Sequence, residues 1–332
     1  MANPFFSVLL PAFNAKAHIG AAIRDILAQT FRDFELLVVD DGSTDSTSEC
    51  VETFSDSRLR LIRLPANQGL VAALNAGLHE ARGKWIARQD ADDRSRRNRL
   101  AKQARLLSER PDTVLVYSHA RLIDAHGLWR GKLRPPLEDS GLRWDFCFRN
   151  PIPHTSAVFP LHLVREELGG YLNCKACEDY NLWSRLLRHG KAVGSPETLV
   201  SYRNHAASIM GQEHAVQAER ENPALREIMS KNLHQWLDAS AAEIDLVASA
   251  WLDPKNASWG DYFTATNRLA CGRIRPHGAL LAEQDFTLLN RSAAVSADAA
   301  LEMLAALKKT SPGRYASLPQ PRTFITRLLK RI

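Results

Sequence analysis

Apolar residues fall in short runs separated by polar turns, and the period of the pattern changes from run to run. Residues 5–11 (Phe-Phe-Ser-Val-Leu-Leu-Pro) form an apolar run closed by proline, and residues 14–30 then carry Ile19, Ala22, Ile23, Ile26 and Leu27 at helical spacing. That predicts strand, turn, helix. The unit recurs: residues 34–39 (Phe-Glu-Leu-Leu-Val-Val) predict a strand buried on both faces, and residues 45–54 a helix opened by the Ser43-Thr44-Asp45 turn. Residues 58–64 and 84–87 predict two more strands with a helix over 68–81 between them, and a further helix is expected from about 96 to 109, capped by Asp93 or Ser95. Such alternation implies a mostly parallel sheet with helices on both faces.

After residue 213 the strand signals fade, and residues 225–237, 241–251 and 298–308 read as helices. Three regions follow: an α/β domain over 1–212 with halves 1–118 and 119–212, a helical region over 213–318, and a basic tail over 319–332. In the tail Phe324, Ile325, Leu328, Leu329 and Ile332 share one helical face while Arg322, Arg327, Lys330 and Arg331 lie elsewhere. This pattern fits peripheral contact of residues 322–332 with an anionic membrane surface, or packing of the apolar face onto the helical region.

Composition narrows this only modestly. A chain of 332 residues can bury a substantial core, and its net charge of +6 suits an anionic nucleotide, a lipid phosphate or a membrane surface without choosing among them. A nucleic-acid partner is not expected. There is no basic-then-apolar leader and no apolar run of about 18 residues, so neither export nor a spanning helix is expected and a cytoplasmic location follows. The five cysteines, an odd number spread along the chain, argue for reduced thiols; Cys174-Lys175-Ala176-Cys177 is the only close pair and a weak basis for zinc or redox chemistry.

Candidate chemistry sits where loops leave the carboxyl ends of the expected strands, the place where ligands bind in such sheets. Pro11-Ala12-Phe13-Asn14 follows the first strand, Asp40-Asp41-Gly42-Ser43 the second, Asn67-Gln68-Gly69 the third and Arg88-Gln89-Asp90-Ala91-Asp92-Asp93 the fourth. Turn and cap chemistry accounts for Gly42, Ser43 and Asp45 but not for two adjacent acids, which can accept from a uracil N3–H or from ribose hydroxyls. Three carboxylates within residues 90–93 repel one another, and a hard divalent cation, Mg²⁺ or Mn²⁺, relieves that repulsion while taking its other ligands from water and phosphate. An acidic loop that merely caps a helix is the plainer alternative.

The order and spacing of these segments resemble the family 2 glycosyltransferases, with their nucleotide-sugar-binding GT-A fold. Later segments, Asn150-Pro151-Ile152-Pro153-His154, Gly169-Gly170-Tyr171, Glu178-Asp179-Tyr180-Asn181-Leu182-Trp183 and Tyr202-Arg203-Asn204-His205, resemble that family's acceptor half. The resemblance covers about residues 5–208. It implies GT-A architecture followed by a helical region, with residues 1–118 binding the nucleotide sugar and 119–212 the acceptor. It implies an inverting transfer of a sugar from a nucleoside diphosphate, UDP first, to an acceptor hydroxyl in polysaccharide or glycolipid synthesis, the acceptor being a saccharide or lipid-linked. Pro11, Phe13, Asn14, Asn67, Gly69 and Arg88 would line the donor; Asp41, supported by Asp40, would contact the uracil or ribose; Asp90 and Asp92 match the D-x-D pair, with Asp90 toward the ribose and Asp92 toward the Mn²⁺ or Mg²⁺. Asp179 would be the general base, with His154, Glu178 and Arg203 on the acceptor side and His205 a second candidate metal ligand. The run Arg94-Ser95-Arg96-Arg97-Asn98-Arg99 lacks the proline common after this motif.

Residue chemistry alone supports these roles, because displacing a nucleoside diphosphate requires charge compensation on its phosphates and a base opposite them. For Asp179 the competing reading is helix capping by Glu178 and Asp179; for His154, His205 and Arg203 it is structural pairing. A nucleotidyltransferase would want a Gly-rich, basic loop after the first strand, and Pro11-Ala12-Phe13-Asn14-Ala15-Lys16 is not one. A non-catalytic scaffold or receiver-like domain would carry its acid pair after the first strand rather than the second.

Overall fold

The first four strands, β1 (Phe6–Ala12), β2 (Phe34–Asp40), β3 (Leu59–Arg63) and β4 (Trp85–Arg88), lie parallel in the order β3-β2-β1-β4. Every residue of β1 and β2 is buried, as their unbroken apolar runs require. The even-numbered β1 residues Phe6, Val8, Leu10 and Ala12 pack with Ile19, Ala22, Ile23 and Ile26 of α1 (Ile19–Leu27), and the other helices between these strands are α2 (Thr47–Glu52) and α3 (Leu70–Glu80). The computed structural model describes residues 3–174, 177–204, 223–237, 239–252, 256–270, 288, 297–316 and 318.

Past β4 the sheet ceases to be parallel. It continues through β5 (Arg94–Ser95), β6 (Thr113–Ile123), β7 (Trp129–Leu133), β8 (Val158–Pro160) and β9 (Lys191–Arg203). β8 runs antiparallel to both β4 and β6, β6 runs parallel to β9, and β5 and β7 pair antiparallel with β9 and β6. The sheet is therefore a mixed one with a parallel half, and the loops after β1, β2, β3 and β4 leave from one rim.

The helix expected from residue 96 begins later. α4 (Arg99–Glu109) has Asn98 at its N-cap with no side-chain cap bond, because residues 94–95 are drawn into β5. Neither expected cap serves: the Ser95 hydroxyl donates to Gln89 Oε1 at 2.7 Å, and Asp93 accepts the Arg203 backbone N–H at 2.7 Å. The expectation of reduced thiols also needs correction at one place. Cys174 and Cys177 are paired as a disulfide, with Cα atoms 5.3 Å apart and Cys177 N–H donating to Cys174 O. Cys50 and Cys147 are free thiols.

The chain divides into two units, Met1–Asp139 with Pro151–Gln212, and Ser140–Asn150 with Glu213–Ile332. Sequence pattern placed residues 140–150 in the first unit; the structure groups them with the later helices. They continue α5 (Asp139–Asp145), which starts at the boundary, while α6 (Glu178–Leu186) belongs to the first unit.

The second unit contains α7 (Pro223–Leu237), α8 (Ala241–Leu252), α9 (Trp259–Ala270), α10 (Ala297–Thr310) and α11 (Pro312–Ala316). Its core is aromatic: Phe148 stands 5.1 Å from Trp144 and 5.5 Å from Trp251, whose indole N–H donates to the Tyr262 hydroxyl. A capping box opens α8, with Ser240 N–H donating to Glu243 and Glu243 N–H to the Ser240 hydroxyl. Arg268 binds the same carboxylate, and that bond above all draws the Glu243 pKa to about 2. Residues 319–332, with the amphipathic tail, lie outside the described residues, as does His205. Among the described residues no helix is long and apolar enough to cross a membrane.

Candidate functional site

The loops after β1, β2 and β3 are tied to one another by side chains that sequence reading assigned to a ligand. Asn14 adopts a left-handed backbone (φ 49°), which its short polar side chain tolerates. Its Oδ1 accepts from the backbone N–H groups of Thr44 (2.9 Å) and Asp45 (3.3 Å), while its own N–H donates to the Ser43 hydroxyl (2.9 Å). Asp40 accepts Ser43 N–H at 3.0 Å and the Ser48 hydroxyl. Asp41 clamps the third loop: one oxygen accepts Gln68 N–H and the other Gly69 N–H, both at 2.8 Å. Gly42 completes the join, since a Cβ there would lie 2.5 Å from the Ala66 carbonyl carbon and its φ is 69°.

These contacts revise the expected division of labour. Asp40 and Asp41 are almost fully buried and shape the loops, though each carboxylate oxygen retains a second lone pair. Pro11 is buried within β1 and gives the rim no side chain. Phe13 is 46% exposed and Asn67 is exposed, so both face outward at the rim, while Gly69 (φ 89°) starts α3.

Beneath the acidic loop lie two fully buried arginines. Arg88 donates to Asp90 Oδ1 at 2.7 Å, to His154 Nε2 at 3.2 Å and to Leu9 O at 3.3 Å. Its guanidinium is thus held by groups of the protein, the Asp90 carboxylate among them. Arg99 donates to Gln89 Oε1, Ser95 Oγ, Gln103 Oε1 and Arg88 O, with no carboxylate among these partners. Burial, with Arg88 beside it, pulls its pKa down to about 9.

Above them the carboxylates crowd. Burial raises the Asp90 pKa, Asp92 adds to the rise, and Arg88 opposes it. Asp93 is pushed up further by burial and then by Asp90 and Asp92. One of its oxygens accepts the Arg203 N–H, the Thr155 hydroxyl also works against the rise, and the other oxygen, Oδ2, is buried without a hydrogen-bond partner among the described residues. Arg203 itself is structural: its guanidinium donates to the backbone carbonyls of Asp92, Asp124 and Ala125, each at 2.9 Å.

Two tyrosines, Tyr202 and Tyr171, lie near residues expected on the acceptor side. Tyr202 has its pKa raised by burial and then by Asp90, Asp93, Asp92 and Asp179 together. All four carboxylates are thus near enough to act on one phenol through their charge. Tyr171 is fixed by Asn75, which donates to its carbonyl and accepts its N–H, each at 2.9 Å; a Cβ on neighbouring Gly170 would lie 2.5 Å from Asn75 Oδ1. The Tyr171 hydroxyl meets His154 Nε2 at 2.9 Å. Burial, and then the Arg88 charge, holds His154 well below the ordinary histidine pKa, so the ring is neutral and its Nε2 accepts.

Asp179 stands half-buried in the first turn of α6, where it accepts Tyr180 N–H at 2.6 Å; Cys177, not Asp179, is the N-cap. Glu178 beside it is buried, with its pKa raised chiefly by burial.

Among the described residues no group of three or more His, Cys, Asp or Glu side chains could by itself hold a metal ion. The donor set fits an ion that needs less. Mg²⁺ or Mn²⁺ at a diphosphate takes one or two carboxylates and completes its shell with phosphate oxygens and water, and the crowding of acids here is seen in the raised Asp93 pKa, to which burial and then Asp90 and Asp92 contribute. Asp92 and Asp90 are the residues that would hold it.

Known proteins resemble this chain along most of its length. Residues 7–159 match the model described as glycosyl transferase family 2. The amylovoran biosynthesis glycosyltransferase AmsE of Erwinia amylovora is 32% identical over 203 residues, which span 60% of this chain and 76% of that protein. The crystal structure of S. aureus TarS in complex with UDP-GlcNAc superposes with a TM-score of 0.59 at 16% identity, covering 98% of this chain and 92% of that one. The mannosyltransferase PcManGT of Pyrobaculum calidifontis, in complex with GDP-Man and Mn²⁺, gives a TM-score of 0.51 at 22% identity, covering 93% and 88%. At these identities the two structures speak to the fold, which is that of the GT-A glycosyltransferases.

Proposed function

The chain belongs to glycosyl transferase family 2 and is a glycosyltransferase, and we propose that it transfers a sugar with inversion from a UDP-sugar to a saccharide hydroxyl during polysaccharide synthesis. The convergence of Asp90, Asp92, Asp93 and Asp179 on Tyr202 carries this reading. Acids able to compensate phosphate charge and a candidate base would then act near one another. A polysaccharide product is in keeping with the AmsE name, and UDP with the ligand named for TarS. Whether the saccharide is carried on a lipid is a property of the acceptor, which the same assay reads.

In this reading the first three loops form the nucleoside pocket. Phe13 offers an exposed ring for the base, and the second lone pairs of Asp41 accept from the uracil N3–H or the ribose. Arg88 keeps Asp90 oriented toward the ribose. Asp92, with Asp90, would hold Mn²⁺ or Mg²⁺, which when bound neutralises the leaving diphosphate. Asp179 takes the proton from the acceptor hydroxyl as its oxygen bonds to the anomeric carbon, and the bond from that carbon to the diphosphate oxygen breaks with the electron pair leaving on UDP. Neutral His154 and Tyr171 brace Arg88 from below rather than meeting the acceptor.

The reading is tested by incubating the full chain with UDP- and GDP-sugars, saccharide and lipid-linked acceptors and Mn²⁺, then measuring nucleotide release and product mass. Release of UDP with a product one sugar heavier is expected. No nucleotide release from any sugar nucleotide would contradict it.

A further inference from the structure

On the face of β9 opposite Tyr202 is a concave site of about 310 Å³, whose lining includes Asp25, Arg94, Arg96, Arg121, Ser201 and Arg203. The faces follow from the pleat. Ser201 and Arg203 of β9 line this cleft, while the side chain of Tyr202 between them lies on the other face of the strand. Strand pairing assembles the rest, since Ser201 is the register partner of Arg94 on β5 and of Arg121 on β6.

The charges do not balance inside it. Arg94 is matched by Asp25, with N···O distances of 2.6 and 2.8 Å, and the Asp25 carboxylate also accepts Ser95 N–H. Arg203 is engaged by three backbone carbonyls, which compensate its hydrogen bonds but not its charge. Among the described residues the guanidinium groups of Arg96 and Arg121 have no hydrogen-bond or ionic partner. Four arginines thus share the lining with one aspartate, and among the described residues two of their guanidinium groups have no partner.

We infer that this cleft binds a phosphate group, as a phosphate ester or a diphosphate. Arg96 follows β5 and Arg121 lies on β6, and two forked donors from separate segments suit the several oxygens of a phosphate better than the two of a carboxylate. The site is distinct from the proposed donor diphosphate site, although Arg203 links the two by donating to the Asp92 carbonyl.

Calorimetric titration of the full chain with inorganic pyrophosphate in EDTA at low salt tests the inference, because without a divalent cation the acidic loop repels this polyanion. Binding is expected, and it should weaken at least tenfold in Arg96→Ala/Arg121→Ala and recover partly in Arg96→Lys/Arg121→Lys, with the melting temperature and UDP-sugar turnover kept. Flotation with phosphatidylglycerol against phosphatidylcholine vesicles separates the sources. Capture of the wild type by anionic vesicles, lost in the alanine variant, assigns the phosphate to a lipid headgroup; pyrophosphate binding without capture assigns it to a soluble or saccharide-borne phosphate. Absence of pyrophosphate binding by the wild type, or equal binding by the alanine variant, overturns the site.

Discussion

Two acidic sites in the parallel half of this sheet are built in opposite ways. At the amino ends of β1 and β2, buried Glu35 has every oxygen answered: Oε1 accepts the Ser7 hydroxyl at 2.6 Å and Arg82 N–H at 2.7 Å, and Oε2 accepts Arg60 at 2.9 Å. At the carboxyl ends Asp90, Asp92 and Asp93 crowd together, two of them have raised pKa values, and Asp93 keeps one buried oxygen unanswered among the described residues. Burial is similar at Glu35 and Asp93. The difference lies in whether the chain supplies the compensating donors, and it separates a carboxylate that holds the fold from a cluster arranged for something the chain does not supply.

The comparison predicts that rim and base respond to substitution in different currencies. The largest effect is expected at Asp179→Asn, which should lower turnover by about 10²–10⁴-fold, the usual worth of a general base, while UDP binding stays near wild type. Stopped assays of turnover beside calorimetry with UDP would read both; a lost UDP affinity or an unchanged rate removes the base from Asp179. At the other end of the strands Glu35→Ala strands the Ser7 hydroxyl and Arg82 N–H and should cost about 3 kcal/mol of stability in urea unfolding, with KM for the donor unchanged. A stability near wild type would erase the contrast.

Asp93→Asn gives the smallest and most diagnostic shift. The folded protein holds the Asp93 carboxyl above its ordinary pKa, so its contribution to stability is present below about pH 4 and is lost as pH rises through the raised value. The asparagine keeps an acceptor for Arg203 N–H without the charge. Its melting temperature should therefore exceed wild type near neutral pH, with the gain shrinking as the solution is acidified. A gain that grew toward low pH would mean that Asp93 is stabilised as the anion.

Much of the parallel half was legible because it depends on local pattern: the buried runs of β1 and β2, the helical spacing of α1 and the acids at strand ends all sit within a few residues of one another. What stayed hidden depends on partners far along the chain. Asp41 and Asn14 read as ligand contacts, yet they clamp neighbouring loops, and only the 27–31-residue separation of their partners says so. Arg88 likewise turned out to be a buried counter-charge, its His154 partner lying 66 residues away. The late start of α4 had the same origin, since β9 pulls residues 94–95 into the sheet edge. Tyr202 could have been found from strand alternation, which sets it on the face opposite Ser201 and Arg203.

The central claim is that the rim acids form a site completed by a donor diphosphate together with a divalent cation. Titrating UDP into wild type and Asp92→Asn, each with Mn²⁺ and with EDTA, tests it most directly. Three carboxylates beside a diphosphate repel it unless a cation intervenes, so tight binding is expected for wild type with Mn²⁺ alone, with EDTA and Asp92→Asn each abolishing most of it. Equal UDP affinity in all four titrations would contradict the account.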